Sequence, residues 1–187
     1  MTTTLATALI GLFAFSGNTT FTAPEEMNSL SVAPEVINLS VKATAYNAVP
    51  EQTDADPSTT ASGLSSNPEI VAARSRDLAD TLPFGTVIAI TAPSEASTSC
   101  GIEAVSDQIG YRVILDVMHA RKRSQVDILF NHENTVSVGG HERNPADVLG
   151  VCDGVTVSVV GHLDLKDVPQ TQVELRALVE GSGLARN

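Results

Sequence analysis

The sequence of 187 residues has no tryptophan, and its only aromatic residues are five phenylalanines and two tyrosines. A glycan-binding module built on stacked aromatic platforms is therefore disfavoured. Basic residues are also few, with 11 Lys and Arg against 22 Asp and Glu and a formal net charge of −11. Non-specific binding of duplex nucleic acid needs cations that neutralise phosphates, so that class is disfavoured too. The apolar content of 42% is nevertheless enough for one buried core.

The first 24 residues carry no charge and contain the apolar run Leu5–Phe15. A spanning helix needs about 20 apolar residues, so we expect no stable membrane span. The run fits the hydrophobic region of a secretory signal peptide over residues 1–16, with cleavage after Ser16. No Lys or Arg precedes it, so a start further upstream, or a buried N-terminal strand or helix, stays an alternative. We expect an exported protein of the periplasm or cell envelope.

The rest of the chain divides by composition into a linker, a domain and a tail. Residues 17–40 mix Thr, Pro, Asn and Ser and predict a linker or loosely attached segment. Residues 41–165 show short strand patterns separated by turn-forming residues, and the absence of regular helix alternation favours a small closed β-structure. Arg74–Leu82 is the one short helix predicted inside this domain. The predicted strands are Val41–Tyr46, Thr86–Ile90, Tyr111–Asp116, Val126–Phe130 and Val155–Val160.

The tail, residues 166–187, contains a helix signal. Thr171 and Glu174 have the spacing of a capping box, and Gly181 is a suitable stop. The apolar stripe of this helix is predicted to cover the domain, and it comprises Val173, Leu175, Leu178 and Val179.

Two cysteines, Cys100 and Cys152, are the only ones in the chain. An even count in an exported protein predicts one disulfide, and two buried free thiols are the alternative. Neither cysteine has a neighbour at CxxC spacing, and the four histidines show no HExxH pattern, so we expect no metal site.

Two aspartates lie where aspartate is rare. Asp116 ends one predicted strand and Asp127 lies inside another, on the face opposite Val126, Ile128 and Phe130. A carboxyl that a rigid strand holds partly buried has a raised pKa, as a general acid near neutral pH requires. In the alternative that the pattern leaves open, each aspartate caps a turn or pairs with an arginine.

The segment Asp116–Phe130 resembles the signature of the 3D domain, a family named for three aspartates. It has an opening Asp, a short basic turn, and a second Asp eleven positions later within an apolar strand. Other blocks of that family have similar segments here, in the same order: Ala43–Tyr46, Thr60–Gly63, Val71–Ala73 and Leu82–Thr86. The resemblance implies a six-stranded double-psi β-barrel, like the catalytic domain of membrane-bound lytic transglycosylase A and the rare-lipoprotein-A-like proteins.

The resemblance also implies a reaction: cleavage of peptidoglycan glycan strands between MurNAc and GlcNAc, leaving a 1,6-anhydro ring, with no metal or cofactor. Asp127 would be the general acid and Asp116 its partner. The family's first aspartate has no counterpart at the usual spacing; Asp77 is favoured over Asp80 as its replacement. Val117, Met118 and His119 stand where many members have Thr-Gly-Gly, which predicts a narrower groove. The predicted substrate-binding residues are Tyr46, Thr60, Gly63, His119, Arg121 and Arg123.

Two other classes of function remain open on the sequence alone. A non-catalytic glycan-binding barrel would keep the fold and the groove without turnover, and a structural envelope protein would have no groove. The distinguishing property is geometric, because catalysis requires Asp116 and Asp127 to converge in one groove, within about 10 Å of each other.

Overall fold

The structure, a computed structural model, describes residues 37–53, 56–93 and 100–181. The predicted signal peptide and most of the predicted linker lie outside these residues. The strands are β1 Asn38–Asn47, β2 Val71–Arg74, β3 Thr86–Thr91, β4 Arg112–Val117, β5 Gln125–Phe130, β6 Val136–Val138, β7 His141–Arg143 and β8 Cys152–His162. The helices are α1 Ser106–Ile109, α2 Pro145–Leu149 and α3 Gln172–Gly181, and short 3-10 turns cover Arg76–Leu78, Glu103–Val105 and Leu165–Asp167.

In the described part of the chain, six strands close a barrel in the order β1-β5-β2-β4-β3-β8, and β6 and β7 form a separate hairpin. The pairs β1/β5 and β2/β4 are parallel, and the other barrel pairs are antiparallel. Exchanging β1, β2 and β3 for β4, β5 and β8, respectively, gives the same set of neighbouring pairs. The order of the strands therefore has an internal two-fold pseudosymmetry. The prediction of a mainly β fold with a closed six-stranded barrel and a C-terminal helix is confirmed.

The barrel strands that carry the two aspartates are buried almost along their whole length. In β4, Arg112–Leu115 are buried, and in β5 every residue except Asp127 is buried. Strands covered on both faces read as continuous apolar runs, as here, and the partly exposed Asp127 is an interruption in such a run. β1 begins at Asn38, before the predicted domain start at residue 41.

A fully buried arginine ties the site-bearing strands together. Arg112 has no exposed surface, and its guanidinium lies 5.5 Å from the centroid of the Phe130 ring. Its N–H groups donate to five backbone carbonyls, those of Pro68, Val71, Gln108, Ile109 and Leu129. These carbonyls belong to β2 and the residues just before it, to β5 and to α1, so one side chain at the start of β4 contacts its neighbour β2 and, beyond β2, strand β5.

Cys100 and Cys152 form a disulfide across a sequence separation of 52 residues. The crosslink joins the segment before the Glu103–Val105 turn to the first residue of β8. A crosslink over a loop of this length stabilises a fold chiefly by restricting the unfolded chain.

The capping box of α3 forms as predicted. The Thr171 hydroxyl accepts from the Glu174 amide at 3.2 Å, and the Glu174 carboxylate accepts from the Thr171 amide at 3.1 Å. The predicted apolar stripe is only half right: Leu175 and Val179 are buried in the core, but Val173 and Leu178 are 79% and 46% exposed. The helix therefore packs along a narrower line than its sequence suggests. No helix among the described residues is long and apolar enough to cross a membrane.

The predicted helix over Arg74–Leu82 is wrong. Arg74 ends strand β2, where its backbone pairs with Val117 of β4 and Val126 of β5. Only Arg76–Leu78 are helical, as a single 3-10 turn. The buried Arg74 side chain donates to the Leu82 carbonyl at 2.7 Å and so folds the segment back on itself.

Candidate functional site

Strand β2 brings the two predicted acids together. Ala73 in this strand pairs with Asp116 of β4 on one side and with Asp127 of β5 on the other. Neighbouring strands lie about 4.8 Å apart, so the two aspartate Cα atoms are about 10 Å apart across β2. All three residues line one groove, with the small Ala73 side chain between the carboxyls.

Asp127 lies on the floor of this groove, in a partly buried position. Burial raises the pKa of its carboxyl from 3.8 to about 6, against the lowering effect of a hydrogen bond from Thr44 and of the Lys122 charge. Asp116 adds a smaller rise by like-charge repulsion. The sequence-based expectation named desolvation as the cause, and desolvation is the largest effect here. A carboxyl with this pKa is partly protonated near neutral pH, as a general acid requires.

Asp116 has a different environment from Asp127. Its Oδ1 accepts from the backbone amides of Ala61 and Val117, at 3.0 and 2.8 Å, and its Oδ2 accepts from the Tyr46 hydroxyl at 3.0 Å. Burial, followed by the neighbouring Asp116, raises the pKa of Tyr46, so that hydroxyl remains a donor at neutral pH. Because every contact is a donor, Asp116 acts as a fixed acceptor. It also fastens the loop after residue 56 to strand β4.

The groove has a volume of about 690 Å³, within the range of about 300 to 1,000 Å³ usual for ligand sites. One wall comes from the loop between β1 and β2, and the other from the end of β4 and the residues after it, Val117, Met118 and His119. All three residues line the groove, and the narrowing that they are expected to cause stays a prediction. Two exposed cations, Arg76 and Lys122, are also on its walls.

The predicted site residues divide into two groups. Tyr46, Thr60 and His119 line the groove beside the two acids. Gly63, Arg121 and Arg123 are not among its lining residues. Gly63 adopts a left-handed φ of 85° in the turn that Thr60 closes, where glycine is the least strained residue. Arg123 instead donates to the carbonyls of Ala120 and Lys122.

Asp77, the predicted third acid, also lies outside the groove lining. Its carboxylate accepts from the Ser124 amide at 2.9 Å, and hydrogen bonds from Ser75 and then Ser124 lower its pKa. Ser124 has a left-handed φ of 47° in the turn between β4 and β5. Asp77 thus supports the turn that carries Lys122, and we do not assign it a catalytic role.

Four groove or network residues escape the sequence-based reasoning: Thr44, Gln125, Arg76 and Lys122. Lys122 lies between Arg121 and Arg123 in the basic turn after Asp116, and which of the three faces the groove depends on the turn geometry. Thr44 and Gln125 meet only through the parallel pairing of β1 with β5. Once the pairing of the two strands is known, a hydroxyl residue opposite an aspartate is the pattern that would identify these residues.

Among the described residues, no three His, Cys, Asp or Glu side chains are grouped as metal ligands. No protein-family model matches the chain, and no curated protein matches it. The case for a function therefore depends on the geometry of the groove.

Proposed function

We propose that this protein is an exported cell-wall enzyme that cleaves peptidoglycan glycan strands between MurNAc and GlcNAc without consuming water. The observation that carries the proposal is Asp127, a groove carboxyl with a pKa of about 6 beside a second, hydrogen-bonded carboxylate. The two-fold order of the barrel strands is compatible with a double-psi barrel. Together with the sequence blocks, this supports a place in the 3D-domain family.

In the proposed reaction, protonated Asp127 donates its proton to the glycosidic oxygen as the bond from that oxygen to MurNAc C1 breaks. The ionised Asp127 then takes the proton of the MurNAc 6-hydroxyl while O6 bonds to C1, which closes the 1,6-anhydro ring and restores the acid. Asp116 stabilises the positive charge that develops on the sugar ring. Tyr46, Ala61 and Val117 hold Asp116 in place for that role.

The groove cations suit an anionic glycan. Arg76 and Lys122 are available to the lactyl and stem-peptide carboxylates of MurNAc, in place of the predicted Arg121 and Arg123. With few aromatic residues in the chain, charge and hydrogen bonds must supply most of the affinity, and exposed charge pairs are screened by salt.

We therefore expect Lys122→Gln and Arg76→Gln each to weaken binding to purified sacculi about two- to fivefold at low salt. The matched control is Arg121→Gln, which removes a neighbouring exposed cation outside the groove. Sedimentation binding curves at low and high salt measure the effect. Equal losses for Lys122→Gln and Arg121→Gln, or binding insensitive to salt, would contradict this assignment.

The experiment that tests the proposed function is incubation of the disulfide-bonded protein with sacculi, followed by mass analysis of soluble products. Anhydro-muropeptides support the proposal, and new reducing ends would show a hydrolase instead. Intact strands that retain the protein would favour the second candidate, a non-catalytic glycan-binding barrel. The full set of hydrogen bonds around Asp116 is the observation that favours this second candidate, because such contacts also serve a purely structural role.

A further inference from the structure

Asp127 is held through only one of its two carboxyl oxygens. The Thr44 hydroxyl lies 2.7 Å from Oδ1. In the described part of the chain no group hydrogen-bonds Oδ2, and Asp127 lines the groove. Oδ2 is therefore the oxygen available to a bound substrate.

The Thr44 hydroxyl is itself oriented by a buried amide. Gln125 is 4% exposed, and its Nε2 donates to Thr44 Oγ1 at 2.7 Å. A hydroxyl has a single hydrogen, and an ionised carboxylate can only accept. Since Thr44 accepts from Gln125, its own hydrogen points at Asp127 Oδ1.

The strand register builds this arrangement. In the parallel pair, Thr44 lies opposite Asp127, and Lys42 lies opposite Gln125. Gln125 and Asp127 are two positions apart in β5, so they project from the same face of the strand. Thr44 of the neighbouring strand lies between them and contacts both.

We propose that Gln125 and Thr44 form a directional relay that confines the acidic proton of Asp127 to Oδ2, the oxygen that faces the groove. Because the Thr44 hydrogen points at Oδ1, a proton bound to Oδ1 would lie against that hydrogen. Protonation of Oδ1 is therefore disfavoured relative to protonation of Oδ2. Thr44 and Gln125 are therefore positioning residues for Asp127. The consequence for bond cleavage rests on the proposed function, whereas the location of the proton does not.

Among the described residues, the other charged groups near Asp127 form no hydrogen bond to either of its oxygens. Lys122 from the β4–β5 turn, Asp116 from β4 and Tyr46 from β1 interact with it electrostatically. His119, Arg76 and Asp56 line the same groove. Among the described residues, Thr44 is the hydrogen-bond partner of the Asp127 carboxyl, so it is the group that determines which of the two oxygens carries the proton.

Removing the relay changes the titration of Asp127 in a defined direction. Thr44→Val deletes a hydrogen bond to the ionised form, which raises the midpoint by about one to two pH units. Thr44→Ser keeps the hydroxyl and the wild-type midpoint. Gln125→Leu leaves the hydroxyl but frees it to rotate, so the acidic proton moves between Oδ1 and Oδ2, and the cleavage rate falls about tenfold or more without a matching change in KM.

The test combines a spectroscopic and a kinetic measurement on the full chain. Carboxyl-¹³C NMR, assigned with Asp127→Asn, follows the Asp127 midpoint in wild type, Thr44→Val, Thr44→Ser and Gln125→Leu. Isotope-edited infrared spectra report the carbonyl stretch of protonated Asp127, which shifts to higher wavenumber when Thr44 no longer donates to Oδ1. In the pH profile of anhydro-muropeptide release, the alkaline limb should shift to higher pH in Thr44→Val and keep its wild-type position in Thr44→Ser.

The outcomes separate the relay from the proposed function. If wild type releases no soluble product but the midpoints and carbonyl stretch move as expected, the relay stands and the proposed function is wrong. If product forms but Thr44→Val and Gln125→Leu titrate and turn over like wild type, the relay is overturned. It is also overturned if Thr44→Ser behaves like Thr44→Val, because the threonine would then act only through packing.

Discussion

Asp127→Asn is expected to abolish the release of anhydro-muropeptides and, at the same time, to stabilise the fold at pH 8. Loss of the acid removes an effect of general acid–base catalysis usually worth about 10²- to 10⁴-fold, and here both proton transfers use the same group. Asparagine keeps the carbonyl that accepts from Thr44 and places its amide toward the groove. The substitution therefore leaves the hydrogen bond of 2.7 Å intact.

The gain in stability follows from the raised pKa. Between the ordinary value of 3.8 and the folded value of about 6, the folded state binds more protons at Asp127 than the unfolded state. Its contribution to the free energy of unfolding therefore falls as pH rises through this window, by about 3 kcal/mol in total, and stays constant above it. Asparagine carries no charge to desolvate, so the variant avoids this loss.

Urea unfolding of both proteins between pH 3.5 and pH 8 measures this difference. The variant's advantage should be absent at the acidic end, grow between about pH 4 and 6, and remain level at higher pH. Asp77 and Glu174, whose pKa values are lowered by hydrogen bonds, are present in both proteins and cancel in the comparison. The control for activity is Asp77→Asn, outside the groove, which should still release product. Wild-type product release by Asp127→Asn, or a variant less stable than wild type at pH 8, would refute the role given to Asp127.

Arg112→Met is expected to destabilise the protein by about 4 kcal/mol or more. Methionine fills a similar volume, but it leaves five backbone carbonyls without the donor that satisfies them now. Burial lowers the pKa of Arg112 to about 9, so the side chain is still charged at pH 7, and its charge is spread over those carbonyls and the Phe130 ring. Thermal and urea unfolding at pH 7 measure the loss.

Arg74→Met supplies the matched comparison. Arg74 is also buried and lies 5.4 Å from an aromatic ring centroid, but its guanidinium donates only to the carbonyls of Leu82 and Ser75. We expect a distinctly smaller loss of stability for this variant. Arg112→Lys should be intermediate, because an ammonium has three donors and not the fork of five. An equal loss in both methionine variants would mean that burial alone, and not the carbonyl contacts, explains the effect.

Local sequence patterns predict the strands of this fold whose formation depends little on contacts with distant parts of the chain. The β-branched and alternating runs of β1, β3, β4, β5 and β8 were all recognisable. Strand β2 is missing from the predicted strands because its centre is two alanines, which have low strand propensity, and its last residue, Arg74, begins the predicted helix. The place of Ala73 in the site is not visible in its local sequence, because it follows from pairing with Asp116 and Asp127 of the two neighbouring strands.

The two acids of the site could be predicted from the sequence because they depart from the residue preferences of β-strands. Asp116 and Asp127 stood out because strands seldom contain aspartate. Asp77 was a plausible third acid by spacing, but its carboxylate supports the Ser124 turn instead. Thr44, Gln125 and Lys122 are unremarkable in their own segments. Their roles depend on parallel pairing and turn geometry, which join parts of the chain that local patterns treat separately.

The pairing of β1 sets the order in which this domain can be completed during synthesis. Its barrel neighbours are β5 and β8, and the contact from Thr44 to Asp127 spans 83 positions. The first strand therefore leaves the ribosome with both partners still unmade, and its edge stays unpaired until almost the whole domain has emerged. Contacts this distant in sequence make folding slow, on the order of milliseconds to seconds. The residues that line the groove run from Tyr46 to Asp127, so the groove is assembled only when β5 pairs with β1, and a chain that stops before β5 has no site.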